Sequence, residues 1–211
     1  MSTNKRGLFI AFEGGDGAGK STQSALLTDS LRALGRTVVS TREPGGTPIG
    51  ERLRALVLDH GHGEIDPRSE ALIFAAARAA HASQVIRPAL RRNEVVLTDR
   101  YIDSSVAYQG AGRSLGEDRV LSLNEWATDG LRPDLTVLLD VPPAEGRDRR
   151  TAGDGSEDRL ESEPDDFHAR IRRTFLDLAA ADPDRYLVLD ARRAVEELSR
   201  RILDRVKMLL P

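Results

Sequence analysis

Residues 12–23, FEGGDGAGKSTQ, are compatible with few local structures. They follow a short apolar run, precede a segment with helical spacing, and match the pattern G-x-x-x-x-G-K-[ST]. Glycines allow consecutive backbone N–H groups to turn toward an anion without a clash at Cβ, and the N-terminus of the following helix adds further N–H groups. The stretch therefore predicts a loop at a strand-to-helix junction that binds the phosphates of a nucleoside triphosphate.

Individual residues of this predicted phosphate-binding loop have separate tasks. Lys20 reaches the outer phosphates, and Ser21 is a ligand of Mg²⁺. Only three of the 31 basic residues are lysines, so Lys20 is notable at a site where a compact ammonium must fit against phosphate oxygens. The loop residues predicted to contact ATP are Gly14, Gly15, Asp16, Gly17, Ala18, Gly19, Lys20, Ser21 and Thr22.

The rest of the chain alternates between strand-like and helix-like segments. Short apolar runs occur at residues 8–12, 37–40, 95–98, 135–140 and 186–189, and apolar spacing near 3.6 residues occurs at 21–34, 67–90, 117–129, 167–181 and 195–209. This alternation predicts an α/β fold with a five-stranded parallel sheet flanked by helices on both faces. The length favours one domain, residues 1–211. Ligands of such sheets bind beyond the carboxyl ends of the strands.

Charge and composition exclude several classes of function. The 31 basic and 34 acidic side chains are interspersed and leave a formal charge of −3, so the chain lacks the basic field of a nonspecific nucleic-acid binder. It has no cysteine, which excludes disulfides and thiolate metal sites. The first apolar run, residues 8–12, is too short for a signal peptide or a membrane span. We therefore expect a soluble, cytoplasmic protein with no nucleic-acid or membrane partner.

A phosphate-binding loop alone leaves the reaction open among a kinase, a regulatory GTPase and an ATPase motor. A regulatory GTPase needs a guanine-binding N/T-K-x-D segment, and none of the three lysines lies in one. An ATPase motor stays possible on the loop alone, although the chain is short and has no obvious extension that would face a partner. A regulatory GTPase is therefore disfavoured.

A second group of polar residues lies in the segment VVLTDRYIDSSVAYQG, residues 95–110. Asp99 leaves a predicted strand in the position of the acid that orients Mg²⁺ or its water ligands in enzymes with such a loop, and Arg100 beside it can clamp a phosphate. In a structural alternative, Asp99 caps the following helix and pairs with Arg100. The two interpretations are compatible, and both stay open.

Four segments together are more specific than either group alone. FEGGDGAGKST, TREPGGTPIGERLR, LIFAAARAAH and DRYIDSSVAYQG, in this order and at these separations, resemble bacterial thymidylate kinase over essentially the whole chain. The resemblance implies a three-layer P-loop kinase fold with a mobile LID segment, phosphorylation of dTMP to dTDP by ATP with Mg²⁺, and a homodimer. The alternatives are a related nucleoside monophosphate kinase with another base preference, and a binding module that hydrolyses ATP slowly to regulate a partner.

The resemblance also implies which residues hold the acceptor. The acid inside the loop of the family, here Asp16, faces the sugar and phosphate of the acceptor, and a cis bond typically precedes the proline of the R-E-P turn. The positions that line the dTMP pocket of the family are Asp16, Glu43, Pro44, Arg54, Phe74, Arg78, Arg100, Ser105, Tyr108 and Gln109. Tyr108 is suited to crowd the 2′ position of the sugar.

Phe74 and Arg78 are four residues apart on a predicted helix and so share a face. An aromatic ring there can stack on a pyrimidine while the guanidinium donates to its O4. Without the resemblance, the simpler interpretation makes Phe74 an ordinary core residue and Arg78 a solvated helix residue.

Further arginines are expected to supply positive charge for the reaction. Some kinases of this family carry an arginine inside the loop, where this chain has Gly17 and Ala18. The segment EGRDRRTAGDGSEDRLE, which resembles the arginine-bearing LID of the family at about residues 146–163, offers candidates at Arg147, Arg149, Arg150 and Arg159. Arg147 and Arg150 are preferred, because residues i and i+3 at a helix end can face one way. A solvated, under-structured loop is the alternative for residues 151–166.

The predicted catalytic set is drawn from these segments. It comprises Asp16, Lys20, Asp99, Arg100, Arg147 and Arg150, with Ser21 and Asp99 as ligands of Mg²⁺, partly through water.

Several other residues are given smaller roles. Main-chain groups around Ala191 and Arg192 match the adenine-binding loop of the family. The H-x-H of residues 60–62 lies in a glycine-rich turn without the further ligands that zinc needs. His81 is expected to pack or to face solvent, and Trp126, the only tryptophan, is expected to bury its ring.

Overall fold

Five parallel strands form the central sheet of the protein, whose computed structural model describes residues 6–152 and 157–210. The strands are β1 (Phe9–Glu13), β2 (Val38–Arg42), β3 (Val95–Asp99), β4 (Leu135–Asp140) and β5 (Tyr186–Asp190). Their order across the sheet is β2-β3-β1-β4-β5, and each neighbouring pair is parallel. The five strands predicted from the sequence are thus confirmed, each to within two residues at its ends.

Helices cover both faces of the sheet. They are α1 (Lys20–Ala33), α2 (Pro48–Leu58), α3 (Pro67–His81), α4 (Arg87–Arg91), α5 (Ile102–Ser105), α6 (Glu117–Thr128), α7 (Pro143–Thr151), α8 (Asp165–Ala181) and α9 (Val195–Lys207). Two π-helical turns occur, Ala82–Ile86 between α3 and α4 and Val106–Gly112 after α5.

Two of the differences from the predicted helices have a cause in the sequence. The predicted helix at residues 67–90 is interrupted by a π-helical turn, and Pro88 contributes to this because it has no N–H for an α-helical bond to residue 84. The short helix α2 was not predicted, because it follows a glycine-rich turn and spans only 11 residues. The hydroxyl of Thr47 begins α2 by accepting a hydrogen bond from the Gly50 N–H at 2.9 Å, and Pro48 occupies the first turn.

The core lies on both sides of the sheet. Alternate residues of β1 point to opposite faces, so Ile10 and Phe12 pack with α1 and α9, whereas Phe9 and Ala11 pack with the α3–α4 connection. A third cluster joins α2, α3 and α8 around Phe175. All five residues of β1 are buried, as expected for the central strand of a sheet that is covered on both faces.

Every strand ends on a charged residue at the same edge of the sheet. These residues are Glu13, Arg42, Asp99, Asp140 and Asp190. The register pairs Phe12 with Asp99, so the loops that follow β1 and β3 begin side by side. Because ligands of parallel sheets bind beyond this edge, the fold brings the two polar groups of the sequence to one place.

The surface corrects one prediction. Trp126 on α6 is 82% exposed, so the expectation that it buries its ring is wrong. α6 turns Asn124 and Thr128 into the protein, and a residue midway between them in sequence lies on the opposite face of the helix. Among the described residues, no helix is long and apolar enough to cross a membrane.

Candidate active site

Glycines shape the loop between β1 and α1. Gly14, Gly17 and Gly19 have positive φ angles of 134°, 78° and 89°, a region that other residues disfavour. A Cβ on Gly14 would lie 2.3 Å from the carbonyl oxygen of Leu139, and one on Gly17 would lie 2.0 Å from that of Gly146. The loop therefore packs directly against the end of β4 and against α7, with no room for a side chain at these two positions.

Lys20 and Ser21 begin α1 directly after these glycines. Lys20 Nζ donates to the carbonyl oxygens of Gly14 and Gly15 at 3.1 and 2.9 Å, so the ammonium folds back over the loop. Burial lowers the pKa of Lys20 below its ordinary value. Ser21 Oγ donates to Asp99 Oδ2 at 2.8 Å. The structure thus places the predicted phosphate-binding lysine next to the predicted pair of metal ligands.

Asp99 does not cap the helix that follows it. α5 begins after Tyr101 without a side-chain cap, and Arg100 pairs with Asp16. Arg100 has a φ of +68°, and its backbone N–H donates to the Phe12 carbonyl oxygen at 2.9 Å. This left-handed turn directs the Arg100 side chain toward the phosphate-binding loop. The capping alternative for Asp99 is therefore wrong.

Asp16, Arg100 and Tyr108 form a closed set of hydrogen bonds. Arg100 Nη2 donates to Asp16 Oδ1 and, at 3.1 Å, to the Tyr108 hydroxyl, which donates to Asp16 Oδ2 at 2.9 Å. Arg100 Nη1 also donates to the Gly14 carbonyl oxygen at 3.2 Å. Burial by itself raises the pKa of Asp16, but the charges of Arg100 and Lys20 outweigh burial and hold that pKa well below its ordinary value. Asp16 is therefore a carboxylate that fixes Arg100 beside the loop.

Glu13 is a buried carboxylate that the sequence motifs do not single out. Its Oε1 accepts hydrogen bonds from the backbone N–H groups of Tyr101 and Ser104 at 2.8 and 3.2 Å, and its Oε2 accepts from the Ser104 hydroxyl at 2.5 Å. Ser104 Oγ also accepts from Arg100 Nη1 at 3.1 Å. Burial and the nearby Asp103 carboxylate raise the pKa of Glu13 to about 7. Glu13 thus holds the turn that carries Arg100. The only signal for it in the sequence is an acid that closes an apolar strand.

A cavity of about 140 Å³ lies beside Asp16. The residues predicted to line a dTMP pocket all surround it: Asp16, Glu43, Pro44, Arg54, Phe74, Arg78, Arg100, Ser105, Tyr108 and Gln109. The cavity is also lined by Leu58, Ser104, Asp158, Leu160 and Glu161, which were not predicted. Asp16 and Tyr108 additionally line a smaller cavity of about 30 Å³ next to the phosphate-binding loop. These two residues form the wall that the two cavities share.

Arg78 is buried, with 2% of its surface exposed, so it is not a solvated helix residue. Its Nε donates to Glu43 Oε2 at 2.6 Å, and its Nη1 donates to Ser105 Oγ at 2.8 Å. Nη1 also donates to Asn124 Oδ1, and Nη2 donates to the Tyr101 carbonyl oxygen at 2.9 Å. These contacts use four of the five N–H groups of the guanidinium. One N–H on Nη2 is left for a ligand in the cavity.

Glu43 connects Arg78 to the segment that follows β2. Its Oε1 lies 2.8 Å from His81 Nδ1, and His81 Nε2 lies 2.7 Å from Thr41 Oγ1. His81 is fully buried, so the expectation that it packs is right, but it packs as a polar residue that orients Glu43. The Glu43–Pro44 peptide bond is cis, as the resemblance implies.

Residues 157–163 lie against α2 and α3. Arg159 Nη2 donates to Glu70 Oε2 at 2.5 Å, and Arg159 Nε donates to the Val57 carbonyl oxygen at 2.9 Å. Leu160 is 6% exposed and packs in the core cluster of α2, α3 and α8. The alternative of a solvated loop is therefore wrong for this part of the chain. The guanidinium of Arg159 is held by Glu70, away from the phosphate-binding loop.

α7 carries the other arginines of the predicted LID, whose residues 153–156 lie outside the described part of the chain. Arg147 and Arg150 both line the cavity of about 30 Å³ next to the phosphate-binding loop. Arg149 instead donates from Nη1 to the Ala191 carbonyl oxygen at 2.9 Å. The structure thus separates the two preferred arginines from the other two candidates.

The loop after β5 carries the predicted adenine contacts at the same edge of the sheet. Ala191 is buried, and its N–H donates to the Asp140 carbonyl oxygen at 2.8 Å. Arg192 is exposed and pairs with Asp190 through two hydrogen bonds of 2.8 and 2.9 Å. At the carboxyl ends of β4 and β5, the edge of the sheet is therefore formed by main-chain groups.

Known proteins resemble this chain over most of its length. A family model described as thymidylate kinase matches residues 12–202. The chain is 56% identical to a thymidylate kinase of Leifsonia xyli, with 96% of this chain and 95% of the relative covered. It is 53% identical to one of Deinococcus radiodurans, with 93% and 95% covered. The crystal structure of thymidylate kinase from Ehrlichia chaffeensis superimposes with a TM-score of 0.77 at 33% identity, covering 96% of this chain and 99% of that one.

Proposed function

Because the chain belongs to the thymidylate kinase family and phosphorylates dTMP with ATP, we propose that ATP binds at the loop of residues 14–22 and dTMP in the cavity of about 140 Å³. The observation that carries this proposal is the wall of Asp16 and Tyr108, which faces both the cavity and the space beside the loop. Arg100 is bonded to both wall residues and to the Gly14 carbonyl oxygen. These contacts support a position of the Arg100 guanidinium between the phosphates of the two substrates.

Three side chains of the cavity recognise the base in this proposal. Phe74 stacks on the ring, and the free N–H of Arg78 donates to O4 of thymine. Gln109 Nε2 donates to the Glu70 carboxylate at 2.9 Å, so its carbonyl oxygen is left to accept from the N3–H of thymine. Cytosine has an acceptor at N3 and an amino donor at position 4, so both contacts fail. The cavity thus favours dTMP and dUMP over dCMP.

Other residues of the cavity hold the sugar and the acceptor phosphate. Tyr108, fixed through its hydroxyl by Asp16 and Arg100, crowds the 2′ position and disfavours ribonucleotides. Arg54 Nη1 donates to the Pro44 carbonyl oxygen at 3.1 Å, which leaves the other N–H groups of Arg54 for the phosphate. Glu43 and Ser105 complete the proposed dTMP site by holding the guanidinium of Arg78 in place.

In the proposed reaction, an oxygen of the dTMP phosphate attacks the γ-phosphorus of ATP in line with the bond to ADP. The new P–O bond forms as the bond between the γ-phosphorus and the bridging oxygen breaks, and the electron pair of the broken bond leaves with ADP. No side chain has to remove a proton, because the acceptor phosphate is already anionic near neutral pH. The side chains that stabilise the developing charge are Lys20, Arg100, Arg147 and Arg150.

Ser21 and Asp99 suit a magnesium ion. Both offer oxygen ligands, the two oxygens lie 2.8 Å apart, and Mg²⁺ in kinases usually takes one or two protein ligands together with phosphates. Such a site needs no cage, and among the described residues no group of three or more His, Cys, Asp or Glu side chains is placed to form one. When bound, Mg²⁺ supplies charge compensation for the β- and γ-phosphates.

α7 supplies the LID arginines in this proposal. Arg150 Nη2 pairs with Glu157 at 2.5 Å and Arg147 Nη1 pairs with Asp165 at 2.8 Å, and the γ-phosphate replaces these carboxylates when ATP binds. Closure over the phosphates excludes water, and reopening releases the products. The hydrogen bond from Arg149 to the Ala191 carbonyl oxygen supports a role beside the main-chain groups of residues 191–192, which contact adenine in this proposal.

The proposed working form is a cytoplasmic homodimer of single-domain chains, without a nucleic-acid or membrane partner. α2 packs on α3 and α3 packs on α6, and these helices expose Leu56, Leu72 and Trp126 by 45%, 56% and 82%. Large apolar side chains exposed on adjacent helices are typical of a subunit interface. Light scattering should show a dimer for the wild type and a monomer for Trp126→Arg, and a wild-type monomer would contradict the proposal.

ADP release from ATP and Mg²⁺ tests the proposed function, with dTMP, dUMP, dCMP, UMP or GMP added separately. We expect the strongest stimulation by dTMP. Gln109→Leu should raise the KM for dTMP by about 100-fold and leave the KM for ATP within about twofold, because a buried polar contact to the base is lost. Stronger stimulation by UMP or GMP would overturn the base assignment, and no stimulation by any acceptor would indicate a binding module.

A further inference from the structure

Glu70 on α3 is a fully buried carboxylate with partners on other segments of the chain. Its Oε1 accepts from Gln109 Nε2 at 2.9 Å, and its Oε2 accepts from Arg159 Nη2 at 2.5 Å. Arg113 contacts both oxygens, with its Nε at 3.3 and 3.2 Å from them. A buried charge is strongly destabilising unless it is paired and hydrogen-bonded, and here both oxygens are. This one carboxylate therefore joins Gln109, Arg113 and Arg159.

The first partner belongs to the cavity. Gln109 lines the cavity of about 140 Å³, and its amide could face a ligand with either its nitrogen or its oxygen. The carboxylate of Glu70 only accepts hydrogen bonds, so it turns the amide nitrogen of Gln109 toward itself. The carbonyl oxygen of Gln109 is thereby left to accept a hydrogen bond from the base, and this step rests on the proposed function.

The second partner belongs to residues 157–163. Arg159 near the start of this segment pairs with Glu70, and Glu163 at its end pairs with Arg113 Nη1 at 2.5 Å. Arg159 and Glu163 of the segment thus pair with Glu70 and Arg113, and the four side chains together carry no net charge. If the segment undocks, Glu70 still has Arg113 and Gln109 as partners, so its buried carboxylate is not left unpaired.

We propose that Glu70 is a positioning residue that couples dTMP binding to the docking of residues 157–163. Gln109 and Arg159 share one carboxylate, so the partner that is ordered first fixes its rotamer and lowers the entropic cost of ordering the other. Bound dTMP orders Gln109 from the cavity side. It therefore stabilises the docked segment, and by thermodynamic reciprocity the docked segment raises the affinity for dTMP.

A double-variant cycle in the full chain tests this coupling. Binding of dTMP is measured by calorimetry for the wild type, Glu70→Gln, Arg159→Gln and the combined variant. Each single substitution should weaken binding by about tenfold or more, and the combined variant should be at most about threefold weaker than Glu70→Gln, because both substitutions break one connection. Losses that multiply would overturn the proposal.

Hydrogen exchange gives a second measurement that does not require a Glu70 variant to fold. At saturating dTMP, the amides of residues 157–163 should exchange about tenfold more slowly in the wild type than without ligand. Gln109→Ala breaks the connection between dTMP and Glu70, so at saturating dTMP the slowing should fall below about twofold. Equal slowing in the two proteins would overturn the proposal.

Arg173→Gln is the matched control, because it removes one positive charge from an exposed position on α8. It should leave the dTMP affinity and the exchange rates unchanged. If the proposed function itself fails, the wild type shows neither binding of dTMP nor stimulation of ADP release by it. If only the coupling fails, the wild type binds and phosphorylates dTMP, and the losses in the cycle multiply.

Discussion

Replacing Gly17 by alanine tests the conclusion that contact with α7 shapes the phosphate-binding loop. The added Cβ would lie 2.0 Å from the Gly146 carbonyl oxygen, whereas ordinary contacts of a Cβ begin at 3.4 Å. The loop and α7 must therefore separate by about 1.4 Å, the difference between these distances. The φ of +78° at Gly17 adds backbone strain, because a residue with a Cβ disfavours this region.

These two effects have known magnitudes. A left-handed backbone costs a non-glycine residue about 1–2 kcal/mol, and overpacking costs about 1–3 kcal/mol. In a chain of this length, 1 kcal/mol corresponds to about 2–4 °C in Tm, so a total of about 3 kcal/mol predicts a fall of about 6–12 °C. Separation of the loop from Arg147 and Arg150 should also lower kcat, by about 100-fold, because the reacting groups lose their alignment.

Alanine substitutions at two other glycines distinguish the effect of the clash on stability from that of the backbone strain. Gly35 has a φ of +76° and Gly15 has no positive φ, and at either position no described atom beyond the adjoining residues would lie within 4 Å of a Cβ. Calorimetric melting should therefore show a fall of about 2–8 °C for Gly35→Ala and of less than about 2 °C for Gly15→Ala. A Tm for Gly17→Ala equal to that of Gly35→Ala would refute the contact with α7, as would an unchanged kcat.

Three further changes have measurable outcomes. The pKa of Glu13 is raised to about 7 in the native state, whereas the unfolded chain releases this proton near pH 4.5. Relative to Glu13→Gln, the wild type should therefore lose about 3 kcal/mol of stability as the pH rises between these values. If urea unfolding gives the same stability difference between the two proteins at about pH 5 and about pH 7.5, the prediction is wrong. Arg147→Gln and Arg150→Gln should each lower kcat by more than about tenfold and Arg149→Gln by less, and smaller losses for the first two would exclude them as the LID cations. Ser21→Ala should raise the Mg²⁺ concentration for half-maximal ADP release by about tenfold, and an unchanged requirement would count against Ser21 as a ligand.

The phosphate-binding loop and the sheet could be predicted because their signals are local. Positive φ angles such as those at Gly14 and Gly19 favour glycine for local reasons, and the apolar runs of the strands repeat along the chain. Parallel strands place all their carboxyl ends at one edge, so Asp99 had to lie near the loop. The residues around the larger cavity followed from the resemblance to the family, and the spacing of Phe74 and Arg78, one helical turn apart, agrees with it.

The partners of the buried charges could not be predicted in this way. Glu13 bonds to Ser104 across 91 positions of sequence, and Arg159 bonds to Glu70 across 89. A chain rich in arginine and acids offers many such pairs, and only the packing of α3 and the register of β1 with β3 select among them. For the same reason, the polar role of His81 was not foreseen.

The sequence by itself determined that the chain has a triphosphate loop and a parallel sheet, because these depend on local backbone freedom and apolar periodicity, and its resemblance to the family implied the acceptor residues. Only the tertiary structure decided that Gly17 touches α7, that Arg159 is held by Glu70, and that Trp126 lies on the surface of the single chain. Each of these facts depends on how closely two distant segments pack. Packing distance is set by the whole core, and no short stretch of the chain encodes it.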